Sequence, residues 1–174
     1  EGCTVYLANT ETMSETVLAA RYYCGDEDVI MGMPDTYWQD DSLIERVAYL
    51  LESTAHVGVA GVFRIDEADR HRVGMVEFGG RMTNEIINIV DKPQRTDLVY
   101  GWGVLSWKPT FWQYINSDDP HVGHAATRAC SQGKELEAAF GASPYYDCGE
   151  PNGYFECIES VRRIERMIAK AVNS

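Results

Sequence analysis

An α/β fold, with a mixed sheet and helices on both of its faces, is the architecture this sequence predicts. Three observations predict it. Short apolar runs bounded by turn residues alternate along most of the chain with stripes at helical spacing, the pattern of a sheet layered with helices. Two apolar runs near residues 73–90 succeed each other with only a glycine turn between them, which adds an antiparallel element. The chain's 174 residues, 45% apolar and 24% charged, fit one domain over residues 1–174 that buries about two-thirds of its unfolded surface.

The first element comes early. The sequence starts at Glu1 and enters a strand-like run at 5–8 almost at once, as a fragment or a processed chain does. Met13, Thr16, Val17, Ala20 and Tyr23 recur at helical spacing, so a helix is expected over 13–23, with Gly25 suited to its C-terminus. Residues 29–33 read as a buried strand. Asp41 or Ser42 caps a second helix whose stripe is Leu43, Ile44, Val47, Leu50 and Leu51. Residues 57–63, small and β-branched, read as a strand. Residues 74–78 and 82–90 form two strands joined through Gly79-Gly80, and 98–107 is a further strand broken by Gly101 and Gly103.

Pro109 opens a short aromatic helix, since proline is tolerated in a first turn. Residues 116–123 read as a polar loop, and 125–140 as one helix interrupted near 131–133. A short strand at 145–147 precedes a last helix over 152–170, with Phe155, Ile158, Val161, Ile164 and Ile168 as its stripe.

Composition excludes several function classes. There are 27 acids against 15 Lys plus Arg, a formal net charge of −12, which argues against a nucleic-acid partner because phosphate contacts need clustered basic residues. The five cysteines are odd in number and none stand in C-x-x-C spacing, so a disulfide scaffold or zinc site is unsupported and a cytoplasmic location is expected. No apolar stretch is long enough for a membrane span, and no signal-peptide pattern opens the chain. The motifs of serine hydrolases, zinc proteases and Walker-type nucleotide binders are missing. His121 and His124 stand three apart, but in the loop rather than in a metal motif.

Two acids carry the functional argument. Asp35 ends the run Val29-Ile30-Met31-Gly32-Met33-Pro34, and Asp147 ends Tyr145-Tyr146 before Cys148-Gly149. Ligands of open α/β sheets bind beyond the carboxyl ends of such strands. Two acids delivered there can share one Mg²⁺, which most often serves phosphate chemistry. Asp91-Lys92-Pro93 closes another strand, where a lysine can place a compact charge on a phosphate. Gly101-Trp102-Gly103 lies inside a strand, where glycine marks a bulge or the close approach of a ligand.

Taken as an ordered series, these segments resemble the sugar-1-phosphate nucleotidyltransferases, and the glucose-1-phosphate thymidylyltransferase type most. The series runs through Val29–Asp35, Gly74-Met75-Val76-Glu77-Phe78, Ile89-Val90-Asp91-Lys92-Pro93, Val99-Tyr100-Gly101-Trp102-Gly103 and Tyr146-Asp147-Cys148-Gly149. The resemblance implies a Rossmann-like mixed sheet, truncated at its N-terminal side, because the glycine-rich G-x-G-T-R loop of that family is not in this sequence.

It also implies roles. Asp35 and Asp147 would be metal ligands for Mg²⁺. Asp35, Lys92 and Asp147 would be the catalytic set, with Lys92 on the sugar phosphate. Gly74, Glu77, Asp91 and Gly101 would lie against the substrate. The implied partners are a sugar 1-phosphate, a nucleoside triphosphate, and either a further copy in a homo-oligomer or a partner chain, the latter able to supply the loop. The rival expectation is a sugar-phosphate-binding or assembly module without turnover.

Overall fold

The structure, a computed structural model, describes residues 4–80, 83–142 and 144–172. Helix α1 (Met13–Cys24) opens on Thr12, whose hydroxyl accepts the backbone N–H of Glu15 at 3.0 Å. It stops at Gly25, whose φ of 59° few other residues adopt. Strands β1 (Val29–Gly32) and β2 (Thr36–Trp38) come next, then α2 (Leu43–Ser53), β3 (Gly58–Arg64), β4 (Met75–Phe78), β5 (Glu85–Val90) and β6 (Tyr100–Trp107). A 3₁₀ turn over Pro109–Tyr114 leads to α3 (Gly123–Ser131), β7 (Leu136–Phe140), β8 (Tyr145–Asp147) and α4 (Pro151–Val172).

Six strands form one mixed sheet in the order β1-β6-β3-β7-β5-β4, and β4 also pairs with the start of β6. The β3–β7 pair is parallel and its neighbours are antiparallel. β3 is the middle of the molecule. Every residue of Gly58–Phe63 is buried, as a strand covered on both faces requires. On one face α2 packs Leu43, Val47 and Leu51, each at most 2% exposed, against Val59, Phe63 and Val104. Each of these side chains contributes about 2 kcal/mol by leaving water. On the other face α1, the 3₁₀ turn and α3 cover Ala60, Val62, Leu105 and Trp107.

A bulge in β6 makes room above the sheet. Val62 pairs with Trp102 and Gly61 with Val104, so Gly103 is the extra residue. The bulge turns Trp102 to the face of Leu105 and Trp107. A Cβ on Gly103 would stand 2.7 Å from Tyr145 and 3.0 Å from Phe63. The glycine therefore lets β8 sit over the sheet, and β8 carries Asp147.

The structure corrects two sequence expectations about where elements lie. Residues 5–8 are not a strand: no strand among the described residues offers them a ladder, and Val5 and Leu7 are 78% and 98% exposed. The segment 125–140 is not one helix. Gly133, at φ 71°, breaks the chain direction after Ser131, and Leu136–Phe140 becomes a strand beside β3.

Ser42 occupies the N-cap of α2 without a capping hydrogen bond, because its hydroxyl bonds Asp40 instead. The stripe of α4 is largely uncovered, with Phe155 at 62% and Ile168 at 58% exposure. Its periodicity records an amphipathic helix but not a neighbour within the chain. The expected strand start at Met82 lies outside the described residues. No helix among the described residues is long and apolar enough to cross a membrane.

Candidate active site

The site is built around a two-stranded sheet, separate from the main one, in which β2 pairs antiparallel with β8. The chain leaves β1 and turns at Met33, whose carbonyl accepts the Thr36 hydroxyl at 2.9 Å. Thr36 then stands opposite Asp147 in the ladder. Cys148 N–H donates to the Asp35 carbonyl at 2.6 Å. Backbone bonding alone therefore makes neighbours of two acids that are far apart in sequence.

Their carboxylates both lie against Gly149. A Cβ built on Gly149 would lie 2.7 Å from Asp35 Oδ2 and 3.2 Å from Asp147 Oδ1. Gly149 N–H also donates to Asp147 Oδ1 at 3.1 Å. Gly153, in the first turn of α4, has the same character: a Cβ there would overlap the Asp147 carbonyl oxygen. Glycine at this position lets the helix start directly beneath the acid. Arg72 Nη2 approaches Asp147 Oδ2 at 3.7 Å. Burial pushes the Tyr145 phenol well above its ordinary value, and the charges of Asp147 and Asp35 add to that.

A cavity of about 310 Å³ opens between these acids and the end of β5. Asp35, Thr36, Tyr145 and Asp147 form one wall, and Asp91, Lys92, Pro120 and His121 another, with Gly74, Arg72 and Trp102 between. Lys92 is the one non-glycine residue among those described with positive φ, at 39°. A left-handed residue before proline is doubly disfavoured, costing about 1–2 kcal/mol. Such strain persists where surrounding structure imposes it, often at functional sites.

Five of the seven sequence-predicted site residues thus meet in one cavity: Asp35, Gly74, Asp91, Lys92 and Asp147. The other two do not line it. Glu77 lies along β4 and accepts from Asn88 Nδ2 at 3.2 Å. Gly101 is buried where β4 meets β6, and a Cβ there would stand 2.9 Å from Ile65 and 3.1 Å from Val73. Its missing side chain is explained by packing between strands.

Two residues escaped sequence reasoning, Arg72 and His121, and a third, Trp102, open in the sequence to a core or a ring-stacking reading, borders the cavity. Arg72 sits in an irregular stretch with no pattern around it. Trp102 reads as core, and it is 4% exposed, yet its indole N–H has no partner among the described residues and its ring borders the cavity. His121 reads as part of a polar loop but is 8% exposed, with Nε2 at 3.2 Å from Asp91 Oδ1. Its Nδ1 accepts the Gly123 N–H at 3.0 Å, a contact for which the sequence carries no signal. Among the described residues, no three His, Cys, Asp or Glu side chains are grouped to hold a metal ion unaided.

No family model matches the sequence, and no curated protein does. Solved structures do match the fold. A UDP-glucose pyrophosphorylase from Acinetobacter baumannii superposes with a TM-score of 0.74 at 17% identity, over 91% of this chain and 61% of the other. An apo UDP-glucose pyrophosphorylase gives 0.76 at 14% identity, over 91% of this chain and 62% of that one. A Bacillus anthracis protein assigned as a glucose-1-phosphate thymidylyltransferase gives 0.73 at 14% identity, over 86% of this chain and 61% of its own. The chain spans about three-fifths of the length of these proteins. Its mixed α/β architecture is the sugar-1-phosphate nucleotidyltransferase-like fold, truncated relative to the proteins that share it.

Proposed function

We propose that this cavity takes part in nucleotidyl transfer from a nucleoside triphosphate to a sugar 1-phosphate. The observation that carries the reading is the convergence of Asp35 and Asp147 across the β2–β8 ladder, facing Lys92 over one cavity. The likeness to pyrophosphorylases supports it at the level of fold.

Two carboxylates lining one cavity suit Mg²⁺, which takes one or two protein carboxylates and fills its other positions with phosphates and water. Asp35 and Asp147 would hold the ion, and its chemistry would be to neutralise phosphate charge as it develops. The chain's own residues do the rest. Lys92 holds the phosphate of the sugar 1-phosphate with a compact charge. Asp91 accepts from sugar hydroxyls, and the backbone at Gly74 lets the ring approach. Arg72 lies where it can balance the acids.

An oxygen of the sugar phosphate attacks the α-phosphorus. One P–O bond forms, the α–β bridge breaks, and pyrophosphate leaves with the electron pair. Such a reaction needs alignment and charge neutralisation rather than covalent help. In this proposal a glycine-rich nucleotide loop comes from outside these 174 residues.

The test is transfer of label from α-³²P-labelled UTP or dTTP to glucose 1-phosphate with Mg²⁺, assayed with and without a polypeptide carrying such a loop. Formation of a labelled nucleotide sugar is expected, and it should be lost in Asp35→Asn and Asp147→Asn. Binding of glucose 1-phosphate without any turnover would make the chain a sugar-phosphate-binding module. Neither binding nor turnover would reject the reading.

A further inference from the structure

The loop before α3 carries a group to which nucleotidyl transfer gives no task. His121 is buried, and its Nδ1 accepts the backbone N–H of Gly123 at 3.0 Å. A nitrogen that accepts carries no proton, so the neutral ring bears its hydrogen on Nε2. Glycine is required for this seat: a Cβ at position 123 would stand 2.7 Å from both Nδ1 and Cε1 of the imidazole.

Nε2 in turn lies 3.2 Å from Asp91 Oδ1 but is not aligned for a hydrogen bond, and it has no other partner among the described residues. The indole N–H of Trp102, bordering the same cavity, is also unpartnered among them. Leaving a buried N–H unpaired is costly, and the Asp91 carboxylate 3.2 Å from His121 Nε2 is an acceptor that can satisfy it. Burial, with His124 and Lys92 nearby, lowers the His121 pKa against the opposing pull of Asp91, which favours the neutral ring.

We propose that His121 is the positioning residue of the sugar subsite: a small turn of the side chains on sugar binding lets its Nε2–H donate to Asp91 Oδ1, 3.2 Å away, and leaves the other carboxylate oxygen for a hydroxyl of the sugar. The proposal rests on the assignment of the cavity to a sugar 1-phosphate. It gives a histidine in an irregular loop the alignment of the acid that selects the sugar.

Two near-isosteric variants separate this role from mere packing. Gln places an amide N–H₂ near the position of Nε2, and Asn reaches only as far as Nδ1. Calorimetry with glucose 1-phosphate should show wild type and His121→Gln within about threefold, while His121→Asn binds about tenfold more weakly. Gly123→Ala, which unseats the ring, should resemble His121→Asn. Asp91→Ala combined with His121→Asn should bind no more weakly than Asp91→Ala alone. Affinity for UTP should be the same in all of these.

Imidazole ¹⁵N and ¹³C shifts of the wild type should report the Nε2–H tautomer, a readout independent of ligand. Equal affinity of wild type and His121→Asn for glucose 1-phosphate would overturn the proposal and leave the sugar-phosphate reading standing, as would an Nδ1–H tautomer. If wild type binds no glucose 1-phosphate, the reading of the site fails first and this proposal falls with it.

Discussion

The two walls of the cavity are made in different ways. The wall with Asp35 and Asp147 is a product of backbone pairing, because the β2–β8 ladder sets Thr36 against Asp147 and the Cys148 N–H holds the Asp35 carbonyl. The facing wall, with Asp91, Lys92 and His121, hangs on a strained backbone at Lys92 and on side-chain hydrogen bonds in a loop. A wall fastened by its backbone keeps its shape when a side chain is exchanged, so changes there report on chemistry. A wall fastened by side chains loses shape and function together. The contrast predicts that substitutions on the first wall act on rate and those on the second act on sugar binding.

The largest effect tests the first half of that claim. Asp147→Asn, and separately Asp35→Asn, should lower kcat for nucleotidyl transfer about a thousandfold, since several kcal/mol of charge neutralisation would go with the carboxylate. The melting temperature should move little, because none of the ladder bonds use these side chains. A large loss of stability without a loss of rate would show that the acids are structural and that the contrast is false.

Next in size is Lys92→Ala. A charged hydrogen bond to phosphate is worth about 1.5–3 kcal/mol, so KM for glucose 1-phosphate should rise roughly ten- to a hundredfold. KM for UTP should stay put, and the split between the two is the measurement. Parallel rises in both would place Lys92 on the nucleotide instead and merge the two walls into one function.

The two walls also differ in how plainly the sequence shows them. Asp35 and Asp147 each end an apolar run at a turn, which is a strand-end signal readable one residue at a time. Their meeting was readable only from the ordered series of segments, because pairing between distant strands leaves no trace in either one. Lys92 was visible through Pro93, which terminates β5. His121 was not, because a lone histidine among Asn, Ser and Asp looks solvated until Val122 and Ala125 beside it are seen to be buried.

The same limit explains α2 and α4. Both carry apolar stripes, yet one is covered by β3 and β6 and the other is largely exposed. Periodicity fixes which face is apolar and is silent about what lies against it. Residues 136–140 were missed as a strand because Leu136-Glu137-Ala138-Ala139-Phe140 fits a helix as well as a strand, and only the left-handed turn at Gly133 decides between them.

The smallest effect sharpens the claim that the acid wall is held by its backbone, by loosening the fastening instead of the acids. Asp40, just beyond β2, accepts from Arg46 Nη2 at 2.6 Å and from the Ala142 N–H at 3.0 Å, and Arg46 donates onward to the Phe140 carbonyl at 2.8 Å. This clamp ties the end of β2 to the segment that enters β8. The Arg46 hydrogen bond first, and then the Ala142 N–H, hold the Asp40 carboxyl well below its ordinary 3.8, against the opposing effect of burial. A carboxylate whose pKa is lowered by folding stabilises the folded state above its unfolded value. That stability drains away as pH falls below it.

Wild type should therefore lose melting temperature steadily as pH drops below about 4, while Asp40→Asn should be flatter there. The variant should melt about 3 °C lower at pH 7, for roughly 1 kcal/mol of lost hydrogen bonding in a chain of this size, and the gap should begin to narrow below about pH 4. At neutral pH its kcat should fall by less than about tenfold, because the ladder still places both acids. A variant as inactive as Asp147→Asn but fully folded would show that side chains, not strand pairing, set the geometry of the first wall.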